Sequence, residues 1–126
     1  MNRALVYSQK AERTLSAAVL LLGSGDTEGA CNRAYYAMYY AAQAALLAAG
    51  IAEPENGYKS HQGLIGAFGK HLVLSGQIDP ALGRSLNKVQ RLRQLADYVG
   101  DAPSIEDATL AVAEAKTFVA AVTVPR

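Results

Sequence analysis

Apolar residues in this chain recur at the three-to-four-residue spacing of a helix face. No run shows the strict alternation of a half-buried strand, and almost every stretch is bounded by a capping residue, a proline or a glycine. The first run extends from about Arg3 to Leu22, with Leu5, Leu15, Val19 and Leu22 in register, and stops at Gly23-Ser24-Gly25. Asp26 is placed to cap a second helix, with Glu28 favourable in its first turn and Gly50 supplying the left-handed stop after Ala49. Ile51 to Tyr58, with Pro54, Asn56 and Gly57, reads as a loop. Ser60 then caps a third helix that reaches about Leu74 and is weakened by Gly63, Gly66 and Gly69. Asp79-Pro80 is a cap followed by proline at the first helical position, and the fourth helix ends near Val99-Gly100. Ser104, with Asp107 three residues on, opens a fifth that runs to about Val122. Short connections make neighbouring helices antiparallel, so the expected fold is all-α, a five-helix up-and-down bundle.

The 126 residues fit one domain, and a composition of 51% hydrophobic and 18% charged residues excludes a disordered chain. Much of the apolar share is alanine, which favours helices but buries little area per residue, so a partner surface is expected to complete the burial. No apolar run reaches membrane-spanning length and the N-terminus lacks the order of a signal peptide, which leads to a cytoplasmic expectation without membrane partners. A single cysteine, Cys31, excludes an internal disulfide and a thiolate zinc cluster. His61 and His71 are ten residues apart and point in different directions on a continuous helix, so no metal or cofactor is expected.

Charge is unevenly spread. The chain carries +1 overall, but residues 59–93 carry +5 through Lys59, Lys70, Arg84, Lys88, Arg91 and Arg93 against Asp79. Lys59, Arg84, Lys88 and Arg91 are therefore phosphate-contact candidates, the alternative being a solvated helix face.

The second helix bears two faces. Cys31, Ala34, Tyr35, Met38, Ala42, Ala45 and Leu46 form an apolar stripe that reads as bundle core. Roughly opposite lie Asn32, Tyr36, Tyr39, Tyr40, Gln43 and Leu47, where a solvated helix would carry lysine and glutamate. Tyrosine couples a large apolar ring to a polar tip, which suits a dimer interface, a stacked base or structural packing. On the fourth helix, Arg93 projects among Leu82, Leu86 and Val89 and requires a carboxylate to offset its desolvation; Asp97, one turn on, supplies one. A structural ion pair and an anion-binding cation fit this pattern equally well. His61, just inside a helix start beside Lys59 and Ser60, reads as a surface or capping histidine, or as a general acid or phosphate contact.

The run Asn32-Arg33-Ala34-Tyr35-Tyr36-Ala37-Met38-Tyr39-Tyr40-Ala41-Ala42 resembles the second-helix motif of the HEPN family, the higher eukaryote and prokaryote nucleotide-binding domain. Lys59-Ser60-His61, Ser75-Gly76-Gln77-Ile78 and Arg91-Leu92-Arg93-Gln94-Leu95-Ala96-Asp97-Tyr98 agree with one small bacterial and archaeal branch, in the right order along the chain. The resemblance implies a homodimer, often encoded beside a minimal nucleotidyltransferase in a toxin–antitoxin pair, that binds RNA or nucleotide. Many members are metal-independent ribonucleases, marked by an arginine followed after four to six residues by a histidine near the end of the fourth helix. Neither Arg91 nor Arg93 has a histidine at that spacing. If Arg93 corresponds to the family arginine, then Asp97, Tyr98 or a more distant His61 is left to take the histidine's part. The implied functions are a binding module without cleavage, a ribonuclease with an altered site, or a structural interaction protein.

Overall fold

The computed structural model describes residues 2–99 and 101–123, with the side chains of Tyr98 and Val99 outside that description. Among the described residues the secondary structure is entirely helical: α1 (Arg3–Gly23), α2 (Thr27–Ala48), α3 (His61–Phe68), α4 (Pro80–Val99) and α5 (Ile105–Val122). The glycine-weakened third helix persists beyond Phe68 as a π-helical turn, Gly69–Val73, before Gly76 takes a left-handed φ of 82°.

The caps fall where the sequence puts them. Asp26 accepts from Gly29 N–H, Ser60 from Gly63 N–H and Ser104 from Asp107 N–H, each satisfying a helix-terminal donor that would otherwise be unpaired. Asp79 accepts from Ala81 N–H at the start of α4. Gly50, at φ 85°, donates to Leu47 O while Ile51 donates to Leu46 O, closing the end of α2.

Helix α2 is the hub. It packs along α1, α5 and α4 and meets the start of α3, so much of its circumference is covered. Tyr35, Met38 and Leu46 are buried there, together with an alanine series from Ala30 to Ala45. The α1 contact departs from the expected leucine stripe. The buried residues of α1 are Ala4, Ser8, Ala11, Thr14 and Ala18, whereas Val19 is 39% exposed and Leu5, Leu15 and Leu22 are only partly covered. Small side chains on both helices allow the backbones to approach closely, and the leucines then pack at the margins.

Helix α3 is tied down by Leu64, Ile65 and Phe68, and the π-helical turn by Leu72; the rings of Phe68 and Phe118 lie 5.4 Å apart. That anchoring fixes the first residue of α3, His61, against α2. Phe118→Ala is expected to cost about 3–5 kcal/mol by opening a cavity at this junction, and Ser104→Ala about 1 kcal/mol by removing a cap. Urea denaturation of the full chain measures both, and a loss for Phe118→Ala no larger than the cap's would contradict the packing described.

Candidate functional site

Three tyrosines from two adjacent turns of α2 enclose one histidine. The His61 ring centroid lies 5.3, 5.7 and 5.4 Å from those of Tyr35, Tyr36 and Tyr39. Tyr35 is fully buried, and its hydroxyl is 2.8 Å from His61 Nδ1, while Tyr36 Oη lies 3.5 Å from Nε2. A buried phenol requires such a partner, which explains why a tyrosine stands in an otherwise aliphatic stripe.

Arg93 reaches the same enclosure from α4. Its guanidinium carbon sits 4.9 Å from the Tyr35 ring centroid and 5.9 Å from that of Tyr36. Nε donates to Gln90 Oε1 at 3.1 Å and Nη1 to Asp97 Oδ2 at 2.9 Å. The Arg93 side chain is 13% exposed and Asp97 49%, so the cation is sunk behind a carboxylate that opens to solvent. Ring faces, amide and carboxylate together offset the desolvation of the guanidinium. Nη2 makes no hydrogen bond among the described residues.

The electrostatics follow from this enclosure. Burial lowers the His61 pKa below its ordinary value, and the charge of Arg93 lowers it further. The imidazole is therefore neutral at pH 7. Burial pushes the Tyr35 phenol well above its usual range, so its proton stays in place. In the tautomer where Nδ1–H donates to Tyr35 Oη, Nε2 presents a lone pair at the Tyr36 side.

The sequence candidates distribute unevenly around this cluster. Arg93, Asp97, His61, Tyr36 and Tyr39 come together; the Tyr98 side chain lies outside the described residues. Asn32 accepts from Arg33, whose guanidinium lies 5.2 Å from the Tyr36 ring centroid, and Asn32 and Asp97 both line a shallow hollow of about 390 Å³. Tyr40 is half-buried beneath the Lys10 ammonium, 4.4 Å from its ring centroid. Gln43 is only 8% exposed, because α2 is covered on more sides than a two-face reading allows, and its Oε1 is buried without a hydrogen-bond partner among the described residues. Arg84, Lys88 and Arg91 are exposed around a separate hollow where Glu114 pairs with Lys88 at 3.7 Å, and Lys59 is exposed ahead of the Ser60 cap. Sequence reasoning assigned Tyr35 to the core alone and did not single out Gln90 or Arg33. A polar tip in an apolar stripe, and an amide one turn before an inward arginine, were the available signals.

Among the described residues no group of three or more His, Cys, Asp or Glu side chains is arranged to hold a metal. Cys31 is buried, which pushes its thiol up to about 11, with Asp107 adding to the effect. No described helix is long and apolar enough to cross a membrane.

A helical bundle in which tyrosines of α2 surround a histidine and an arginine defines the class, and comparison with known proteins gives it a family. The HEPN domain model matches residues 4–124, and the chain belongs to the HEPN family. It is 37% identical over 111 residues to the UPF0332 protein glr0978 of Gloeobacter violaceus, covering 86% of this chain and 84% of that one. It is 39% identical over 109 residues to a Methanocaldococcus jannaschii protein named "Putative toxin MJ0605", covering 86% and 78% respectively. A second protein of that organism with the same style of name, MJ0142, is 33% identical over 90 residues, covering 71% and 58%.

The cluster predicts a titration. By NMR, His61 is expected to protonate with a midpoint below 6.5, and Arg93→Gln to move that midpoint upward without fully restoring it, since burial is the larger cause. Because the folded-state pKa is depressed, the unfolded chain binds more protons in this window. The His61 contribution to stability is present above about pH 6.5 and is lost as pH falls through the folded pKa. A midpoint unmoved by Arg93→Gln would show that the two side chains do not share one electrostatic environment.

Proposed function

We propose that this HEPN-family chain is a toxin-like protein that acts on RNA, with Arg93 and His61 forming a metal-independent cleavage site. The observation that carries the reading is the placement of His61, from the start of α3, in the same tyrosine enclosure as Arg93 from α4. In this reading a histidine far away in sequence takes the part that the family signature gives to one on α4 itself. The toxin naming of two relatives supports the same direction.

The chemistry needs a base and a cation. With Nε2 unprotonated, His61 takes the proton of a ribose 2′-hydroxyl as its oxygen attacks the adjacent phosphorus. The O2′–P bond forms, the P–O5′ bond breaks, and the departing 5′ oxygen receives that proton back from the imidazolium. A 2′,3′-cyclic phosphate and a 5′-hydroxyl result, with no other reactant consumed. Arg93 Nη2 faces the non-bridging oxygens, where negative charge accumulates. Tyr35 holds the imidazole in orientation through Nδ1. In this reading the cytoplasmic protein works as a homodimer, and a cognate nucleotidyltransferase, implied by the family resemblance, is its neutralising partner.

The missing histidine after Arg93 on α4 favours one other reading, a module that binds RNA or nucleotide without cutting it. A ribonuclease assay separates the two. Arg93→Ala and His61→Ala are each expected to lower kcat/KM by roughly 10²–10⁴-fold, and the rate should rise with pH through the lowered His61 pKa and level off near neutrality. Wild-type protein that binds RNA but leaves it intact establishes the binding module instead.

A further inference from the structure

The tyrosine enclosure does not end at His61. It continues through Tyr40, which lies within ring-contact distance of Tyr36 and Tyr39, and from there to α1 through Lys10, whose ammonium sits over the Tyr40 ring. At its far side lies an open cavity of about 350 Å³ lined by Arg3, Val6, Tyr7 and Lys10. These residues are spaced as one outward stripe of α1, adjacent to the buried stripe of Ala4, Ser8 and Ala11. Its chemistry is unlike that of a solvated helix face. The Arg3 guanidinium lies 5.6 Å from the Tyr7 ring centroid and is held by Glu53 at 2.9 Å, and its Nη2 also donates to Tyr7 Oη at 3.3 Å. Lys10 Nζ lies 4.4 Å from the ring centroid of Tyr40, which in turn neighbours Tyr39 and Tyr36 at 6.0 and 6.2 Å.

An aromatic wall between two fixed cations, joined by further rings to a site that handles phosphate, matches a single-stranded nucleic acid: a flat base for the ring and a phosphate for each cation. We infer that the Arg3–Tyr7–Lys10 cavity is a nucleotide subsite for single-stranded RNA, in which a base packs on Tyr7 and Val6, phosphates meet Arg3 and Lys10, and the strand continues over Tyr40 and Tyr36 toward Arg93 and His61. This inference rests on the RNA-directed reading above and extends it to the strand beyond the scissile bond. Arg3 and Glu53 act together here, because the carboxylate fixes the guanidinium beside the ring while leaving it 64% exposed.

The test uses the full chain and a fluorescent 2′-O-methyl oligouridylate of about eight nucleotides, a length within the usual range for single-strand sites. The probe lacks the 2′-hydroxyl and cannot be cleaved, so a protein without ribonuclease activity gives the same binding result, and loss of catalysis is distinguishable from loss of the subsite. Arg3→Gln combined with Lys10→Gln is expected to weaken binding about tenfold near 0.1 M salt and to reduce the log–log salt slope by about 1.4, for two phosphate contacts removed. Tyr7→Leu should weaken binding while Tyr7→Phe retains it, and the circular dichroism of all variants should match wild type. Wild-type affinity and slope in the double variant overturn the inference. So does unchanged affinity accompanied by a shift from dimer to monomer in sedimentation, which assigns the cavity to a second copy of the chain.

Discussion

The contact between the Tyr35 hydroxyl and His61 Nδ1 organises the rest of the site. A phenol with no exposed surface has to find a polar partner within the bundle, and His61 is that partner. Once the bond forms, the first residue of α3 is fixed against the middle of α2, the imidazole is closed in by Tyr36 and Tyr39, and its protonation is disfavoured. Arg93 completes the arrangement from α4, placing a permanent cation against the same ring that carries the bond.

The bundle supplies the rigidity this arrangement needs. Alanine-lined contacts keep the helices of the bundle close, and Phe68 and Leu72 hold the α3 segment in the interior. A histidine at a helix start is ordinarily held by little more than its own loop. Here the loop ends in a capped turn, with Ser60 accepting from Gly63, and the following residues are sunk in the core. His61 and Arg93 therefore owe their proximity to packing across helices rather than to any local sequence relation.

Membership of the HEPN family fits this division of labour between scaffold and site. The family's usual histidine spacing after the arginine is absent, yet an imidazole occupies the neighbourhood of Arg93 from another helix. Rings and cations run from Arg93 past Tyr36 and Tyr40 to Lys10 on α1, giving the same neighbourhood an extended face.

Helix boundaries were legible in the sequence because they are set locally. Asp26, Ser60, Asp79 and Ser104 each bond to backbone within their own first turn, and Gly50 and Gly76 adopt the left-handed φ that ends a run. The Arg93–Asp97 pair was legible for the same reason, since residues four apart on one helix are neighbours wherever that helix goes. Burial around α2 was less so. A helix with one covered side has an inner and an outer face, whereas α2 is covered by several helices, so Gln43 lies inside and the half-buried tyrosines form a wall. On α1, hydrophobic size would suggest leucine as the central contact, while close backbone approach selects alanine and leaves Leu15 and Leu22 packed at the margin. The meeting of His61 with Arg93 was settled by tertiary structure alone. They are thirty-two residues apart on different helices, and only the packing of α3 and α4 around α2 converts that separation into a shared electrostatic environment.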